Sequence, residues 1–576
     1  FTLYMLRYVN VFIDINSELV LCSDRVDFDS LLSAAGELGP YQLYMAFAMF
    51  PFYTFVVFVY FTQIFLTEVS PNHWCRVPEL ANLSEIERRN YAAPPDDSRF
   101  GYSRCETYDV NWTDVLLSGN RPSASSPTVS CQHGWEFNSS EIPYPTITSD
   151  MGWVCERDSY PATAQAVYFV GSIIGSLAIG YLADRYGRLS AAIISTLMGG
   201  IFGALTVFSK NIYDFSVYRF FTGTAYDSCR IMAYLICIEY ISPKHRSSIS
   251  NVTFGIFYCL AVTVLPWIVL ACGDWKITAL VTSLPLLSVL FAPIFLPESP
   301  KWFLSKGRVD DAIKKAQRVA EVNKKVIPPE LIEKFKVNAL ECEEAKDLSI
   351  MEIFKRPYLR NIYLIICLQY TLVAVIFDAL FRTINLLDYD FFISFTIISS
   401  TELPSSLIVG FIMDIFGRRI LLFVLLVLTS IFGVMTTCFT GWQSVACAVS
   451  MRFVVNMAYN ISIQWVPEVM PAAVRASSVN IAHICSSFAM ILSPYLVYSE
   501  VYYRSLPILI LAVLSLIAAS TALFLPETAN KVMPQTFDDA EKQAKDHKIW
   551  VFACSWNSYH QLNIICRTLT TFQSEP

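Results

Sequence analysis

Charge is what this chain of 576 residues has least of, with 16% charged residues against 54% hydrophobic ones. A soluble globular chain carries about 25% charged residues, so the shortage excludes water as the solvent for most of this surface. No metal-ligating cluster, phosphate-cradling loop or nucleophile constellation is readable, so an enzyme, a metal, a cofactor and a nucleic-acid partner are not expected. The chain also lacks the marks of a cleavable signal peptide, because it starts at Phe1 and Arg7, Asp14 and Glu18 interrupt its first apolar stretch. The net charge of -7 says little about partners, since its contributions fall in separate aqueous compartments.

Apolar sequence is abundant instead, in blocks of about twenty residues, the length at which a helix crosses roughly 30 Å of hydrocarbon. Twelve blocks are read as spans, near 41–66, 162–183, 189–209, 214–238, 250–271, 276–296, 361–383, 391–413, 419–440, 444–466, 476–497 and 504–526. Two long hydrophilic segments, 67–161 and 297–357, lie on opposite sides because five spans separate them. Short loops carrying Arg185, Arg188, Lys244, Arg246, Arg418, Arg419 and Arg475 share the side of the second, and the positive-inside rule makes that side cytoplasmic. The expected division is a cytoplasmic N-terminal segment (1–40), a first transmembrane helix (41–66) and an extracellular loop (67–161). The rest of the first half (162–296), a cytoplasmic helical linker (297–360), a second half (361–526) and a cytoplasmic tail (527–576) complete it.

The segment 67–161 carries glycosylation sequons at Asn82, Asn111 and Asn138. It also holds Cys75, Cys105, Cys131 and Cys155, an even number in an oxidising compartment, so two disulfides are expected with all three pairings open.

The sequence repeats itself. Gly180-Tyr181-Leu182-Ala183-Asp184-Arg185-Tyr186-Gly187-Arg188 follows the second span, and Gly410-Phe411-Ile412-Met413-Asp414-Ile415-Phe416-Gly417-Arg418 follows the eighth. Glu239 to Arg246 likewise corresponds to Glu468 to Arg475, and Leu296-Pro297-Glu298-Ser299 to Leu525-Pro526-Glu527-Thr528. Such duplication implies two pseudo-symmetric six-helix halves. Gly180 and Gly410 are expected to admit a neighbouring helix closely. Asp184, Arg185, Arg188, Glu239, Arg246, Asp414, Arg418, Glu468 and Arg475 are expected to form interhelical pairs that exist only while the cytoplasmic side is closed.

These loop motifs resemble those of the major facilitator superfamily. Further residues are similar to the organic cation, anion and zwitterion transporters of solute carrier family 22: Phe28-Asp29-Ser30-Leu31-Leu32, Gly36-Glu37-Leu38-Gly39-Pro40, Gln63-Ile64-Phe65-Leu66, Pro71-Asn72-His73-Trp74-Cys75, Trp153-Val154-Cys155, Pro297-Glu298-Ser299-Pro300 and Phe537-Asp538-Asp539-Ala540-Glu541. The resemblance spans about residues 27 to 545 and implies a multi-pass plasma-membrane transporter of twelve helices, all-α, both termini cytoplasmic. It would move a small organic cation, or a zwitterion such as carnitine, by alternating access, with or without a coupled ion. An organic-anion or sugar carrier and a non-transporting membrane receptor are the alternatives.

Ionisable residues inside a span are functional candidates by default. Glu402 in the eighth span resembles the family's cavity-facing, cation-attracting glutamate. Asp378 and Arg382, four apart in the seventh, and Asp227 and Arg230, three apart in the fourth, can meet solute or neutralise each other. Arg219 with Gly223 resembles the superfamily's Arg-x-x-x-Gly element, and Arg452 and Asn460 occupy positions where the family has cavity-facing polar residues. Gln63 in the first span is a further candidate. Seven residues before Pro494 the family's cation carriers place an aspartate and its anion or zwitterion carriers an arginine, whereas this chain has Ser487. The charge selector is missing there, and His483, one turn earlier, is the nearby titratable group. Glu402 without a charge at Ser487 leans towards cations. Phe377, Phe381 and Trp465 are expected either to face an organic cation or to pack.

Overall fold

The computed structural model describes residues 28–37, 39–70, 72–96, 101–138, 142–341, 351–384, 389–471, 474–529, 534 and 537–545; of these, the side chains of 243–252, 254, 338–341, 411, 414 and 476 are excepted. The unmatched ends of the sequence, and the side chains of Arg246 and Asp414, therefore lie outside the described residues.

Ten helices among the described residues are long and apolar enough to cross a membrane. Leu506–Ala522 is apolar but shorter, and Ile212–Glu239 carries Asp214, Arg219, Asp227 and Arg230 within an otherwise apolar rod. Added in chain order as the twelfth and fourth spans, these two bring the set to the twelve expected from sequence. The fourth starts where Asn211 caps it by accepting from the Asp214 amide.

Prolines decide where the spans break. The first is two helices, Pro40–Ala48 and Phe50–Leu66, with Pro51 opening the second piece. The eighth divides at Thr401 into Phe391–Ser400 and Glu402–Phe416. Pro404 has no N–H for the Ser400 carbonyl, and the Cys259 thiol of the fifth span (Pro243–Cys272) lies 4.0 Å from that oxygen. The eleventh runs Arg475–Met490 and resumes as Ser493–Tyr498 at Pro494. The sixth passes from Trp275–Ser283 into a 3₁₀ stretch, Leu284–Phe291, at Pro285.

Within the first half, the fourth span lies along the second (Tyr160–Tyr186) and the third (Arg188–Leu205). Glycines set that approach: a Cβ on Gly171, Gly175 or Gly223 would come within 2.1, 2.3 and 2.1 Å of the carbonyls of Phe220, Thr224 and Tyr168. Within the second half, the ninth (Arg418–Cys438) lies along the tenth (Trp442–Val469) and the twelfth. The halves meet where the fifth span touches the eighth and the second touches the eleventh.

The segment between the first two spans is itself folded. His73–Cys75 pairs antiparallel with Trp135–Phe137, and Glu106–Tyr108 with Thr128–Ser130. Of the three open pairings, the disulfides are Cys75–Cys131 and Cys105–Cys155. Asn82 and Asn111 are exposed, Asn111 also capping the helix Trp112–Ser118, while Asn138 is half-buried. At the other end, the linker helices Pro300–Ser305, Val309–Val322 and Pro329–Glu341 gather against Phe28–Ala35. Asn323 fastens this layer, donating to the Ala35 carbonyl (3.2 Å) and the Gln42 carboxamide (3.0 Å) while accepting from the Tyr41 amide (3.1 Å).

Candidate functional site

At the linker end, the duplicated motifs build one device twice. Gly187 and Gly417 take φ of +105° and +80°, a region that disfavours any side chain. The Glu298 carboxylate sits against the first, accepting from the amides of Arg188 (2.8 Å) and Leu189 (3.1 Å). Glu527 sits against the second and accepts from the amides of Arg418 (2.9 Å) and Arg419 (3.0 Å). Each carboxylate thus caps the positive N-terminal end of the third or ninth span. The Ser299 hydroxyl bonds Glu239, and the Thr528 hydroxyl bonds Glu468 at 2.5 Å. Glu468 also holds Arg418 at 3.0 Å.

These contacts of Arg188, Glu239, Arg418 and Glu468 join separate elements of one half. Arg475 donates to the carbonyls of Met470 and Pro534 (3.3 Å each), and Arg185 reaches the Tyr181 hydroxyl on its own helix at 3.3 Å. Gly180 is buried. A Cβ on Gly410 would meet nothing within 4 Å, so the close helix approach expected there is not made; glycines that do admit a neighbouring helix include Gly171, Gly175 and Gly223. The small-xxx-small spacing of Gly171 and Gly175 was a readable signal.

Within the second half, on the side of the junction between the halves, Glu402 accepts from Arg452 Nη2 at 2.5 Å. The lean towards cations from an unpartnered Glu402 therefore meets a cationic partner on the tenth span, which separation by fifty residues conceals in sequence. Arg452 is fully buried rather than facing a cavity. Its guanidinium lies 3.8 Å from the ring centroids of both Phe377 and Phe381 and donates to the Phe377 carbonyl at 2.5 Å. Phe377 and Phe381 thus meet a cation of the protein itself. Trp465 is buried and donates to the Pro526 carbonyl, a packing role.

Around this pair, half-buried groups line the junction. Tyr459 stacks on Phe377 with centroids 4.3 Å apart. Asn460 donates to Ser406 (3.2 Å) and the Asn456 carbonyl (2.9 Å). His483 Nδ1 lies 2.9 Å from the Tyr370 hydroxyl, and the Ser487 hydroxyl donates back to the His483 carbonyl. On the facing half, Arg230 holds Asp227 at 3.3 Å, and Ser172 donates to the other Asp227 oxygen at 3.0 Å. Arg219 is buried, with the Phe215 ring face 5.1 Å from its guanidinium. Gln63 is buried as well, its carboxamide without a hydrogen-bond partner among the described residues.

Towards the disulfide domain the halves are joined. Asp378 accepts from Arg382 (3.2 Å), from Ser493 (2.6 Å) and from the Tyr60 hydroxyl of the first span. Phe65 packs on Phe391, Phe392 and Phe395 beside it. Tyr498 donates to Asp158 at 2.6 Å. Asp378 and Arg382 do pair with each other, and the sequence reading missed that Tyr60 makes their pair a contact between halves.

With this geometry in place, a family model described as "Sugar (and other) transporter" matches residues 153–537. The Carcinine transporter of Drosophila melanogaster is 28% identical over 550 residues, 92% of this chain and 81% of that one. Organic cation/carnitine transporter 2 of Homo sapiens is 26% identical over 532 residues, covering 89% of this chain and 93% of its own. The Beta-alanine transporter of Drosophila melanogaster is 26% identical over 544 residues, 90% and 89%. Among solved structures, the major facilitator superfamily proton:xylose symporter XylE bound to 6-bromo-6-deoxy-D-glucose superposes with a TM-score of 0.55 at 14% identity, covering 87% of this chain and 98% of its own. At that identity the likeness concerns the fold.

Proposed function

The chain belongs to the sugar (and other) transporter family within the major facilitator superfamily, and from that premise we propose that it carries a small organic cation or zwitterion by alternating access. The observation that carries this reading is the junction between the halves. Half-buried Tyr226, Tyr258, Phe377 and Tyr459 surround it, and acid–base pairs stand on both sides, Asp227–Arg230 on one and Glu402–Arg452 on the other. Aromatic faces and fixed carboxylates are the groups that receive an organic ammonium. Relatives whose names specify organic cations, carnitine, carcinine and β-alanine favour the same class.

The polar and aromatic contacts joining the halves at the disulfide-domain end describe a gate shut on that side. Asp378, Arg382 and Tyr60 would part when it opens, and the linker-end motifs would keep each half rigid while it rocks. We read the disulfide domain as extracellular, both termini as cytoplasmic and the membrane as the plasma membrane, on the Lys/Arg bias of the short loops and on two disulfides in one segment. The test is uptake by cells expressing the chain of labelled tetraethylammonium, carnitine, an organic anion and a hexose. Accumulation of either of the first two is expected; accumulation of the anion or the sugar alone would overturn the reading.

A further inference from the structure

We propose that Arg219 holds a small monovalent anion, of the size of a halide ion, in a closed polar compartment inside the first half. The anion is a fixed part of that half and is independent of which solute the chain carries.

Four arginines are buried among the described residues, and three of them lie against a carboxylate. Arg188 stands beside Glu298 and Arg419 beside Glu527, while Arg452 is paired with Glu402. Arg219, 2% exposed, has no acidic partner among the described residues. The one hydrogen bond of its guanidinium, from Nη2 to the Thr206 hydroxyl, is long at 3.5 Å, and its Nε makes none. The Phe215 ring face 5.1 Å away offsets only part of a buried positive charge. An arginine does not escape that cost by losing its proton, as a buried lysine can. The missing negative charge therefore calls for a counter-ion from outside the chain.

The neighbouring groups have open hydrogen-bond positions at the same level. Leu66, Ala164 and Phe215 pack with Trp153 and Trp275 into one apolar plug at the disulfide-domain end. Directly beneath it the same three spans each supply a polar side chain. Gln63 is one turn below Leu66, Gln165 follows Ala164, and Arg219 is one turn below Phe215. Below these again, Tyr60, Tyr168 and Tyr226 close the layer, their ring centroids 4.3, 5.8 and 5.9 Å apart. Gln63 and Gln165 are 2% and 3% exposed, and both carboxamides lack a partner at nitrogen and oxygen alike. Buried amides are almost always bonded, so unsatisfied N–H groups on three spans under one plug mark the place of a ligand.

The repeat indicates that the fold does not need this polarity. The register that pairs Gly180 with Gly410 and Glu239 with Glu468 also pairs Gln165 with Phe395 and Arg219 with Ala448. In the second half those two residues are buried in a single apolar cluster. Water would bond the carboxamides of the first half but brings no charge. A monovalent anion supplies both needs, accepting from Arg219 Nε and from the NH2 groups of Gln63 and Gln165. Enclosed between an aromatic plug and a layer of tyrosines, the compartment takes a compact ion such as chloride or bromide rather than an organic acid.

The experiment heats the purified full chain in detergent at constant pH and ionic strength, with chloride or bromide replacing gluconate stepwise. Size-exclusion chromatography then gives the half-life of the monodisperse protein. Chloride and bromide are expected to lengthen it saturably, by about tenfold once the halide stands at about ten times its dissociation constant. Arg219→Gln should abolish that increment. Because exchanging gluconate also acts on the whole surface, the halide effect is read as the difference between the parent and Arg219→Gln. Gln63→Leu and Gln165→Leu keep the charge and remove one donor each, and should raise the half-saturating chloride concentration about fivefold, the worth of one hydrogen bond. A parent equally durable in gluconate and chloride, or an increment that survives Arg219→Gln, would overturn the proposal. If Arg219→Gln yields no folded protein, the two glutamine variants decide, and an unchanged half-saturating concentration in both overturns it.

Discussion

Replacing Glu402 with glutamine separates two accounts of this carboxylate. If it serves mainly to hold Arg452, the change strands a fully buried guanidinium whose remaining contacts are a carbonyl and two ring faces. Removing one member of a buried ion pair costs about 3–5 kcal/mol, and the glutamine carbonyl keeps one hydrogen bond, so the lower end applies, about 3 kcal/mol. Because unfolding of such a protein is observed as a rate, that figure corresponds to a roughly hundredfold shorter half-life of the monodisperse purified protein near its inactivation temperature. Removing both charges, with Glu402→Leu and Arg452→Met, should return the half-life to within about 1 kcal/mol of the original, since well-packed apolar groups replace a buried pair at little cost. The assay is size-exclusion chromatography after timed heating. A Glu402→Gln protein as durable as the parent, whose KM for tetraethylammonium rises tenfold, would refute the structural account and assign the carboxylate to the solute.

Loosening the gate at the disulfide-domain end by Tyr60→Phe or Asp378→Asn removes a bond between the halves worth about 1 kcal/mol, or a roughly fivefold shift towards the parted state. Modification of Cys259, whose thiol lies 3.8 Å from the Ser399 carbonyl across the junction, by an impermeant maleimide should accelerate several-fold; an unchanged rate would argue against the gate. Gly187→Ala and Gly417→Ala each drive a Cβ to 2.2 or 2.7 Å from the capping carboxylate at positive φ, and should cost about 2–3 kcal/mol and most of the folded yield. Normal yield for both would sink the capping account. Burial pushes His73 in the disulfide domain down to about 4, below its ordinary value near 6.5. The folded domain thus keeps this imidazole neutral while the unfolded chain protonates it, and stability should fall by about 3 kcal/mol as pH drops from above 6.5 to 4. Melting curves across that window test it, and His73→Gln should flatten the dependence.

How much of this was legible in sequence depends on how far apart the partners lie. Spans are local: each needs about twenty apolar residues and a cap or proline at its end, so the set of twelve was readable along the chain. The boundaries that moved did so for reasons at a distance. The seventh span begins at Pro357 rather than near 361 because Glu541, in the helix Phe537–Lys545, accepts from the Leu359 amide at 2.9 Å. The repeat was equally visible, but its meaning was not. Arg188 with Asp184 and Arg418 with Asp414 look like charges awaiting partners on other helices. The groups that explain the glycines between them are Glu298 and Glu527, about 110 residues further on. Both glutamates stood in the duplicated Leu-Pro-Glu element, so spacing from motif to glutamate that matches to within one residue in the two halves was the signal left unused.

The charge selector was the hardest part to read, and the reason is electrostatic. A single sequence presents Glu402 as an uncompensated carboxylate in an apolar span, and the desolvation of such a charge is severe enough that it invites a functional role. The same penalty is what a buried partner relieves. Arg452, fifty positions away, sits in a different apolar span and poses the same riddle by itself. When two such residues occur in helices that pack together, mutual neutralisation is the cheaper explanation for both. The residues left to discriminate solutes are then those whose surfaces remain open to the cleft. By that criterion the fourth span, with Asp227 and Arg230 at 22% and 32% exposure, outranks the eighth as the place where solute charge is read. The criterion predicts that neutralising Asp227 or Arg230 alters which solutes are taken, whereas neutralising Glu402 alters how long the protein survives.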